Sequence, residues 1–215
     1  MRRVSIACRL MDPTKRAARQ WFDRRAGAYE GGLTARWRDP LQRASLEALE
    51  LTGSDRLLDV ACGTGWASRT ASEKGASVIG IDLSPEMIRQ ATRLAAGRGG
   101  VRFALADAED LPFADAAFTA LLCTNAFHHY PHPERVVREM SRVLAPGGRL
   151  VIGDASADEA AARIADIFLR RFEPGHVRLY RLAELGAFLH TAGLSRVVAK
   201  RLSNGGQAIV RAIAA

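Results

Sequence analysis

The chain has 215 residues, 48% of them hydrophobic, and a formal net charge of +8 at pH 7. This length supports one well-packed core, so we expect a single domain with small additions. No apolar run approaches the roughly 18 residues that a membrane span requires, and Arg9 interrupts the N-terminal apolar stretch too early for a secretion signal. The three cysteines, an odd number, indicate reduced thiols and a cytoplasmic protein.

The positive charge lies mainly outside the middle of the chain. Residues 1–50 carry a net charge of +5, whereas residues 51–133 carry −2. A basic surface can attract nucleic acid, but it attracts acidic small molecules equally well. We favour an anionic small substrate over nucleic acid.

The first fifty residues are predicted to be helical. One helix spans residues 12–30 and begins near Asp12 and Pro13, and a second spans residues 40–50. The glycine pair at 31–32 separates them and suits a segment that moves. We therefore treat residues 1–50 as a unit apart from the main domain, residues 51–215.

Residues 57–65, L-L-D-V-A-C-G-T-G, predict a strand that turns through two glycines into a helix. Glycine adopts positive φ and allows a ligand to approach the backbone, while the start of a helix offers unpaired N–H groups. A second predicted strand, residues 77–81, leads into Asp82, 19 positions after Gly63. An acid at this spacing typically binds ribose hydroxyls in nucleotide-binding sheets.

The glycine pattern favours a nucleoside over a dinucleotide. A dinucleotide fingerprint needs Gly or Ala at the last position of G-x-G-x-x-G. Here the run ends in Ser68 and has the bulky Trp66 after the second glycine. A ligand without a pyrophosphate fits these residues better.

Three segments resemble one family, the class I S-adenosylmethionine-dependent methyltransferases, in their small-molecule and quinone-biosynthesis-type branch. They are D-V-A-C-G-T-G at 59–65, F-D-R-R-A-G-A-Y at 22–29 and the continuous run 106–152. The resemblance implies an α/β, Rossmann-like, seven-stranded and mostly parallel sheet with a terminal antiparallel hairpin strand and helices on both faces. It also implies that residues 1–50 form a helical lid and that an insert at about 155–180 shapes the substrate pocket.

The resemblance further implies S-adenosyl-L-methionine as cofactor, with S-adenosyl-L-homocysteine as product. The expected cofactor-binding residues are Asp59, Ala61, Gly63, Gly65, Asp82, Leu83, Met87, Asp107, Ala108 and Asn125. Asp107 is expected to accept from the adenine amino group. The candidate substrate residues are Tyr29, Trp37, Arg178 and Tyr180. Alternatively, Tyr29 and Trp37 only pack a helix onto the domain. The loop that carries Arg178 and Tyr180 could likewise serve only to anchor the helix that follows it.

Asn125 to His129 follow a predicted strand, 118–124, and should face the reaction side, because ligands bind at the carboxyl ends of strands. Asp154 ends the next strand in the same way. The candidate bases are ranked His176, then His129, His128 and Asp154. We predict no metal site, since adjacent histidines rarely share an ion and no ligand lies nearby at zinc spacing.

The last third of the chain completes the predicted domain. Residues 156–159, S-A-D-E, predict a capping box that opens a helix to about residue 172. Two β-rich runs, 196–202 and 207–213, flank Asn-Gly-Gly at 204–206 and predict a hairpin.

Three functions follow for test. The favoured one is methyl transfer to a small molecule, whose O, N or C atom attacks the methyl group as the nucleophile. If this acceptor is already anionic, Arg178 can bind its charge. The second is an RNA-modifying methyltransferase that uses the basic N-terminal region. The third is a non-catalytic regulator that binds S-adenosylmethionine.

Overall fold

The computed structural model describes residues 11–31, 33–203 and 206–215, and within these it describes no side chains for residues 33–37. Strands and helices alternate along most of the chain, as predicted. The strands are β1 (Arg56–Val60), β2 (Ser77–Asp82), β3 (Val101–Leu105), β4 (Phe118–Thr124), β5 (Leu144–Ala155), β6 (Leu194–Arg201) and β7 (Gln207–Ala214). The helices are α1 (Pro13–Asp23), α2 (Leu33–Ala48), α3 (Trp66–Glu73), α4 (Pro85–Leu94), α5 (Pro133–Val143), α6 (Ala160–Phe172) and α7 (Leu182–Thr191), with 3-10 turns at Ala26–Ala28 and Phe127–His129.

All seven strands form one sheet in the order β3-β2-β1-β4-β5-β7-β6. The pairs from β3 to β5 are parallel, and β7 runs antiparallel to both β5 and β6. This arrangement confirms the predicted fold class, including the terminal hairpin. The carboxyl ends of β1, β2 and β4 meet at one edge, because Val60 pairs with both Ile81 and Cys123.

Apolar side chains cover both faces of the sheet. On one face Leu57, Val78 and Leu122 pack with residues of α2 and α3. On the other face Leu58, Leu121 and Ile152 pack with residues of α5 and α7. Successive strand residues point to opposite faces, so the continuous apolar runs of these strands supply both layers. Within the described ranges, no helix is long and apolar enough to cross a bilayer.

Prediction and structure differ at several helix ends. The single helix predicted for residues 12–30 stops at Asp23, and a 3-10 turn follows at Ala26–Ala28. Asp12 caps α1 as predicted, since its carboxylate accepts from the Thr14 N–H at 2.8 Å. Helix α2 begins at Leu33 and contains Pro40, whereas the prediction placed this proline at the helix start. The predicted capping box at 156–159 is wrong: Ser156 Oγ donates to Asp158, and α6 begins after Glu159.

Candidate active site

The turn after β1 forms the floor of a cavity at the carboxyl edge of the sheet. Ala61 and Gly63 both have left-handed φ values, 58° and 56°. The Gly63 N–H donates to Oδ2 of Asp82 at 2.9 Å. The glycine turn and the acid of β2 are therefore bonded directly to each other.

Asp82 is held in a fixed orientation. Its second oxygen, Oδ1, accepts from the Ser84 N–H at 2.9 Å. Burial raises the pKa of this carboxyl to about 6, although the backbone N–H donors oppose the shift. Because each carboxylate oxygen has two lone pairs, each keeps one acceptor position for a ligand hydroxyl.

Eight of the ten predicted cofactor residues line this first cavity. They are Ala61, Gly63, Asp82, Leu83, Met87, Asp107, Ala108 and Asn125. Sequence reasoning missed the residues that α1 adds to the wall, Lys15, Ala18, Arg19 and Phe22. No local motif marks Lys15, Ala18 or Arg19, which reach the cavity only when α1 docks on the sheet edge, whereas Phe22 begins the 22–29 segment that resembles the family but was not itself named as a site residue.

Asp59 and Gly65, the other two predicted cofactor residues, do not line the cavity. Asp59 is buried and accepts from Ser68 Oγ at 2.5 Å, and burial raises its pKa to about 7. A Cβ on Gly65 would lie 2.5 Å from the Phe103 ring. Gly65 thus permits close packing of α3 on β3, and Asp59 bonds to α3.

Helix α1 and the following turn are bonded to the main domain at three places. Lys15 Nζ lies 2.7 Å from Asp107 and 2.8 Å from Glu109. Ser84 Oγ donates to Asp23 at 2.5 Å. Beyond the helix, Glu30 pairs with Arg69 at 2.7 Å and accepts from Thr64 Oγ1.

Asp107, which the sequence placed against adenine, is already bonded to Lys15. The Asp107 carboxylate does line the first cavity. However, both of its oxygens accept from Lys15 Nζ, at 3.0 and 2.7 Å, and one also accepts from the Glu109 N–H.

Tyr29 lies between the first cavity and a second one. Its Cε1 lies 3.2 Å from the position of a Cβ on Gly63, so the ring packs on the glycine turn. The guanidinium of Arg38 lies over the same Tyr29 ring, with its Cζ 4.1 Å from the ring centroid. Trp37 belongs to α2, and its side chain lies outside the described residues.

The second cavity is larger, about 780 Å³, and adjoins the first. The two share Phe22, Tyr29, Asn125 and His129 in their walls. Most of its remaining wall is apolar and comes from α1 and α6: Trp21, Ala161, Ala162, Ala165 and Leu169, with Ala155 and Leu179 from the segments on either side of α6. Helix α6 therefore forms part of the wall of the second cavity, and a role for this segment in shaping a substrate pocket stays a prediction.

Asn125 stands at the junction of the two cavities. Its φ is 52°, a left-handed value. Among the described residues neither Oδ1 nor Nδ2 of its buried side chain has a hydrogen-bond partner. A buried amide without partners costs about 1–3 kcal/mol, so a ligand that bonds to it recovers this free energy.

His128 lines the second cavity and is bonded to Asp154, which lies behind it and does not line this cavity. His128 Nδ1 lies 2.7 Å from Oδ1 of Asp154, and the His128 N–H donates to Oδ2 at 3.1 Å. Burial, the largest single cause, lowers the pKa of His128, but the charge and hydrogen bond of Asp154 together with the charges of Glu173 and Asp166 outweigh it, and the net pKa is raised. For Asp154, burial raises the pKa, and the His128 charge and hydrogen bonds produce a net lowering.

His129 is a neutral neighbour. Burial and the adjacent His128 lower its pKa to about 3. Its Nδ1 lies 3.0 Å from the Gly175 carbonyl, and its ring contacts Phe22 edge-on at 5.2 Å. The ligand atoms of His128, His129 and Glu173 come within 4.8 Å of one another, so the predicted absence of a metal stays a prediction.

The loop that contains His176 lies behind this wall. The His176 side chain is fully buried, and its Nε2 bonds to Asp166 at 2.8 Å. Arg178 pairs with Glu184 at 2.8 Å, and Tyr180 packs against Phe127. His176, Arg178 and Tyr180 therefore line neither of the two adjoining cavities, although the sequence assigned them to catalysis and substrate binding.

Comparisons with known proteins agree with this geometry. A family model described as "Methyltransferase domain" matches residues 58–152. The chain is 31% identical over 221 residues to a demethylmenaquinone methyltransferase of Tropheryma whipplei, covering 91% of this chain and 90% of that protein. It is 34% identical over 163 residues to a demethylmenaquinone methyltransferase of Clavibacter sepedonicus, covering 74% of this chain and 66% of that protein.

A solved structure shows the same fold. The YcgJ protein of Bacillus subtilis superposes with a TM-score of 0.72 at 22% identity, over 82% of this chain and 98% of that one. The predicted family is therefore confirmed by sequence as well as by topology. The chain belongs to the class I S-adenosylmethionine-dependent methyltransferases, and it is an enzyme that uses this cofactor.

Proposed function

We propose that the protein methylates a small and largely apolar acceptor, from which the His128–Asp154 pair removes a proton. The observation that carries this proposal is the position of His128. It lines the second cavity, which shares a wall with the first cavity, while its Nδ1 is bonded to a buried carboxylate. A base oriented by a third group is a common arrangement in enzymes that abstract protons.

The residues of the first cavity fit S-adenosylmethionine. Asp82 has acceptor positions left for ribose hydroxyls, Gly63 lines the cavity beside it, and the unpartnered amide of Asn125 lies where the two cavities meet. When bound, the cofactor supplies an electrophilic methyl group on a positive sulfonium. The protein then has to bind, orient and exclude water, and orientation alone can contribute roughly 7–11 kcal/mol.

The acceptor class follows from the walls of the second cavity. Alanine, leucine and aromatic side chains supply most of its surface. Such a lining favours an apolar molecule with few polar groups over a polynucleotide. The two relatives described above are named for demethylmenaquinone, which supports an aromatic acceptor with a hydroxyl group or an acidic carbon. A cytoplasmic location belongs to the same proposal, supported by the free and buried thiols of Cys62 and Cys123.

His128 replaces His176 as the proposed base. The Asp154 carboxylate can only accept, so Nδ1 of His128 carries a proton and Nε2 is the basic nitrogen. The raised pKa of His128 makes it a stronger base near neutral pH. His176 has a positioning role instead, because its bond to Asp166 holds the loop that carries Gly175 against His129.

The test measures transfer of radiolabelled methyl groups to a panel of hydroquinones and phenols. His128→Gln should lower kcat/KM about 100- to 10,000-fold and leave the affinity for S-adenosylhomocysteine within twofold. In the wild type, kcat/KM should rise with pH as His128 loses its proton. Asp154→Asn should move this rise to lower pH, because removal of the negative charge lowers the pKa of His128.

His190→Gln is the matched control, since His190 is exposed on α7. It should leave both the rate and the pH profile unchanged. Wild-type kcat/KM in His128→Gln, with an unchanged pH profile, would refute the proposed base. Methylation of RNA, with no turnover on any small acceptor, would favour the second hypothesis instead.

A further inference from the structure

We propose that Arg38 binds an anionic group of the acceptor, a carboxylate or a phenolate-type oxygen, inside the second cavity. The inference rests on the proposed function, because it takes this cavity as the acceptor site. It adds the charge of the acceptor and the residue that recognises it.

Arg38 is a buried cation without an anion. Its exposed fraction is 7%, and it lines the second cavity. No carboxylate of the described residues lies within 4 Å of its guanidinium. The sequence also has no aspartate or glutamate among the residues whose side chains the structure does not describe, which are 1–10, 32–37 and 204–205. An uncompensated buried charge costs several kcal/mol, which indicates that Arg38 has a partner during function.

The guanidinium is held in place but not saturated. Its Nη2 donates to the Tyr29 carbonyl at 2.9 Å, and its Cζ lies over the Tyr29 ring, 4.1 Å from the centroid. A guanidinium has five N–H donors in a fixed fork. The remaining donors suit an oxyanion, because the fork matches a carboxylate in a bidentate way.

Other charged groups of this cavity act on the same anion. Glu159 and Glu173 also line it, as does Arg25, which lies on the Trp21 ring. The two glutamates repel an anion except where a cation is nearer, so Arg38 fixes one end of the acceptor. His128, in the same cavity, is then reserved for the group that loses its proton.

This assignment moves the anion clamp from Arg178 to Arg38. Arg178 already pairs with Glu184 at 2.8 Å and stacks on Tyr180. It lies outside the lining of the second cavity. The sequence suggested an arginine as anion clamp but gave no signal for which arginine is left without a carboxylate.

The test uses benzoate and benzamide as probes of equal shape and different charge. Each is titrated calorimetrically into the enzyme with S-adenosylhomocysteine bound. The wild type should bind benzoate at least tenfold more tightly than benzamide. Arg38→Gln should remove this difference, and Arg38→Lys should keep part of it, because lysine retains the charge without the fork.

Arg43→Gln is the matched control, an exposed arginine on the same helix α2. It should bind both probes as the wild type does. Equal affinity of the wild type for both probes, or an undiminished preference for benzoate in Arg38→Gln, overturns the proposal. Should Arg38→Gln not fold, bromide soaked into wild-type crystals decides: an anomalous peak at the guanidinium supports the site, and its absence overturns it.

These outcomes are separable from those of the proposed function. Probe binding needs no turnover, whereas the role of His128 is tested by rate and pH profile. If His128→Gln is fully active while the wild type still prefers benzoate, His128 is not the base but the anion site at Arg38 stands.

Discussion

Ala61 and Asn125 have left-handed backbone conformations at the ends of β1 and β4, where these strands reach the two cavities. This conformation costs a non-glycine residue roughly 1–2 kcal/mol. Asparagine tolerates it better than alanine does, and the Asn125 amide is also the unpartnered group between the cavities. The left-handed conformation at Asn125 thus places an amide that is free to bond a ligand. Ala61 has no such polar group, so glycine can replace it and relieve the strain.

Ala61→Gly should therefore stabilise the protein. We expect the free energy of unfolding to rise by about 0.5–1 kcal/mol, since relief of the left-handed strain exceeds the entropy cost of glycine. Urea unfolding measures the change. Ala67→Gly, in the buried interior of α3, is the control and should destabilise. A loss of stability in Ala61→Gly would contradict this account of the turn.

Asp82→Asn should weaken S-adenosylhomocysteine binding by about 1.5–3 kcal/mol for each charged hydrogen bond lost. Because burial raises the pKa of Asp82 to about 6, wild-type affinity should also fall as the pH drops below about 6. In the variant this pH dependence should vanish. Titration calorimetry at pH 5 and pH 8 checks both effects.

Asp115→Asn, at an exposed carboxylate, is the control for this series. It should behave as the wild type at both pH values. Unchanged affinity in Asp82→Asn would remove this carboxylate from the cofactor site.

At the residue scale, the sequence predicts what short spacing determines. The positions of Gly63 and Asp82 were predicted from one strand, its turn and the next strand. Most of the other predicted cofactor residues also stand at strand ends, and eight of the ten line one cavity. Lys15 and Arg38 come from helices that dock from a distance, and no motif announces them. His176 was ranked first because the sequence shows residue types but not their partners, and here its partner is Asp166.

At the element scale, the position of α1 depends on polar contacts more than on apolar packing. Lys15 reaches Asp107 and Glu109, and Asp23 accepts from Ser84. Two of the three ion-paired side chains are nearly inaccessible, Lys15 at 10% and Glu109 at 5%. Such pairs depend on both partners being present.

Lys15→Met should therefore loosen α1. It leaves two carboxylates without their cation, which costs about 3 kcal/mol when the site is buried. We expect faster dissociation of S-adenosylhomocysteine, measured by stopped-flow fluorescence, together with lower thermal stability. Lys74→Met, at the exposed end of α3, should change neither quantity. An unaltered dissociation rate in Lys15→Met would mean that α1 does not control the cavity.

The elements themselves were largely predictable. Strands of apolar residues between glycine or proline turns, and the helices after Ser84 and His132, agree with the structure to within a few residues. Helices α2 and α6 were misplaced at their starts. In both cases a residue typical of helix starts, Pro40 or Ser156, has another role, and tertiary contacts overrode the local preference.

For the whole molecule, the two cavities open at one edge of the sheet, and four residues separate them. The family resemblance predicted a seven-stranded, mostly parallel sheet with an antiparallel end, as well as the general place of the site. It could not predict how α1 and α6 enclose the second cavity, because their orientation depends on side-chain contacts over long sequence separations. That is why eight of the predicted cofactor residues line the first cavity, whereas His176, Arg178 and Tyr180 line neither cavity.

At the same scale, the protein should work without a metal ion. Adjacent histidines rarely bind one ion together, and Nε2 of His128 is the basic nitrogen of the proposed proton transfer. Dialysis against EDTA should therefore leave methyl transfer unchanged, as measured with the acceptor panel. Loss of activity that zinc or magnesium restores would contradict this expectation and assign an ion to His128, His129 and Glu173.

The contacts of Lys15, Asp23 and Glu30 have a kinetic consequence. Because Lys15 lines the first cavity and all three hold the same N-terminal segment beside it, we expect the segment to lift before spent cofactor leaves, so that each turnover includes an opening step. Glu30 is about one third exposed in its pair with Arg69, so moderate salt should weaken it by screening. Product release would then speed up with ionic strength until cofactor capture itself becomes limiting.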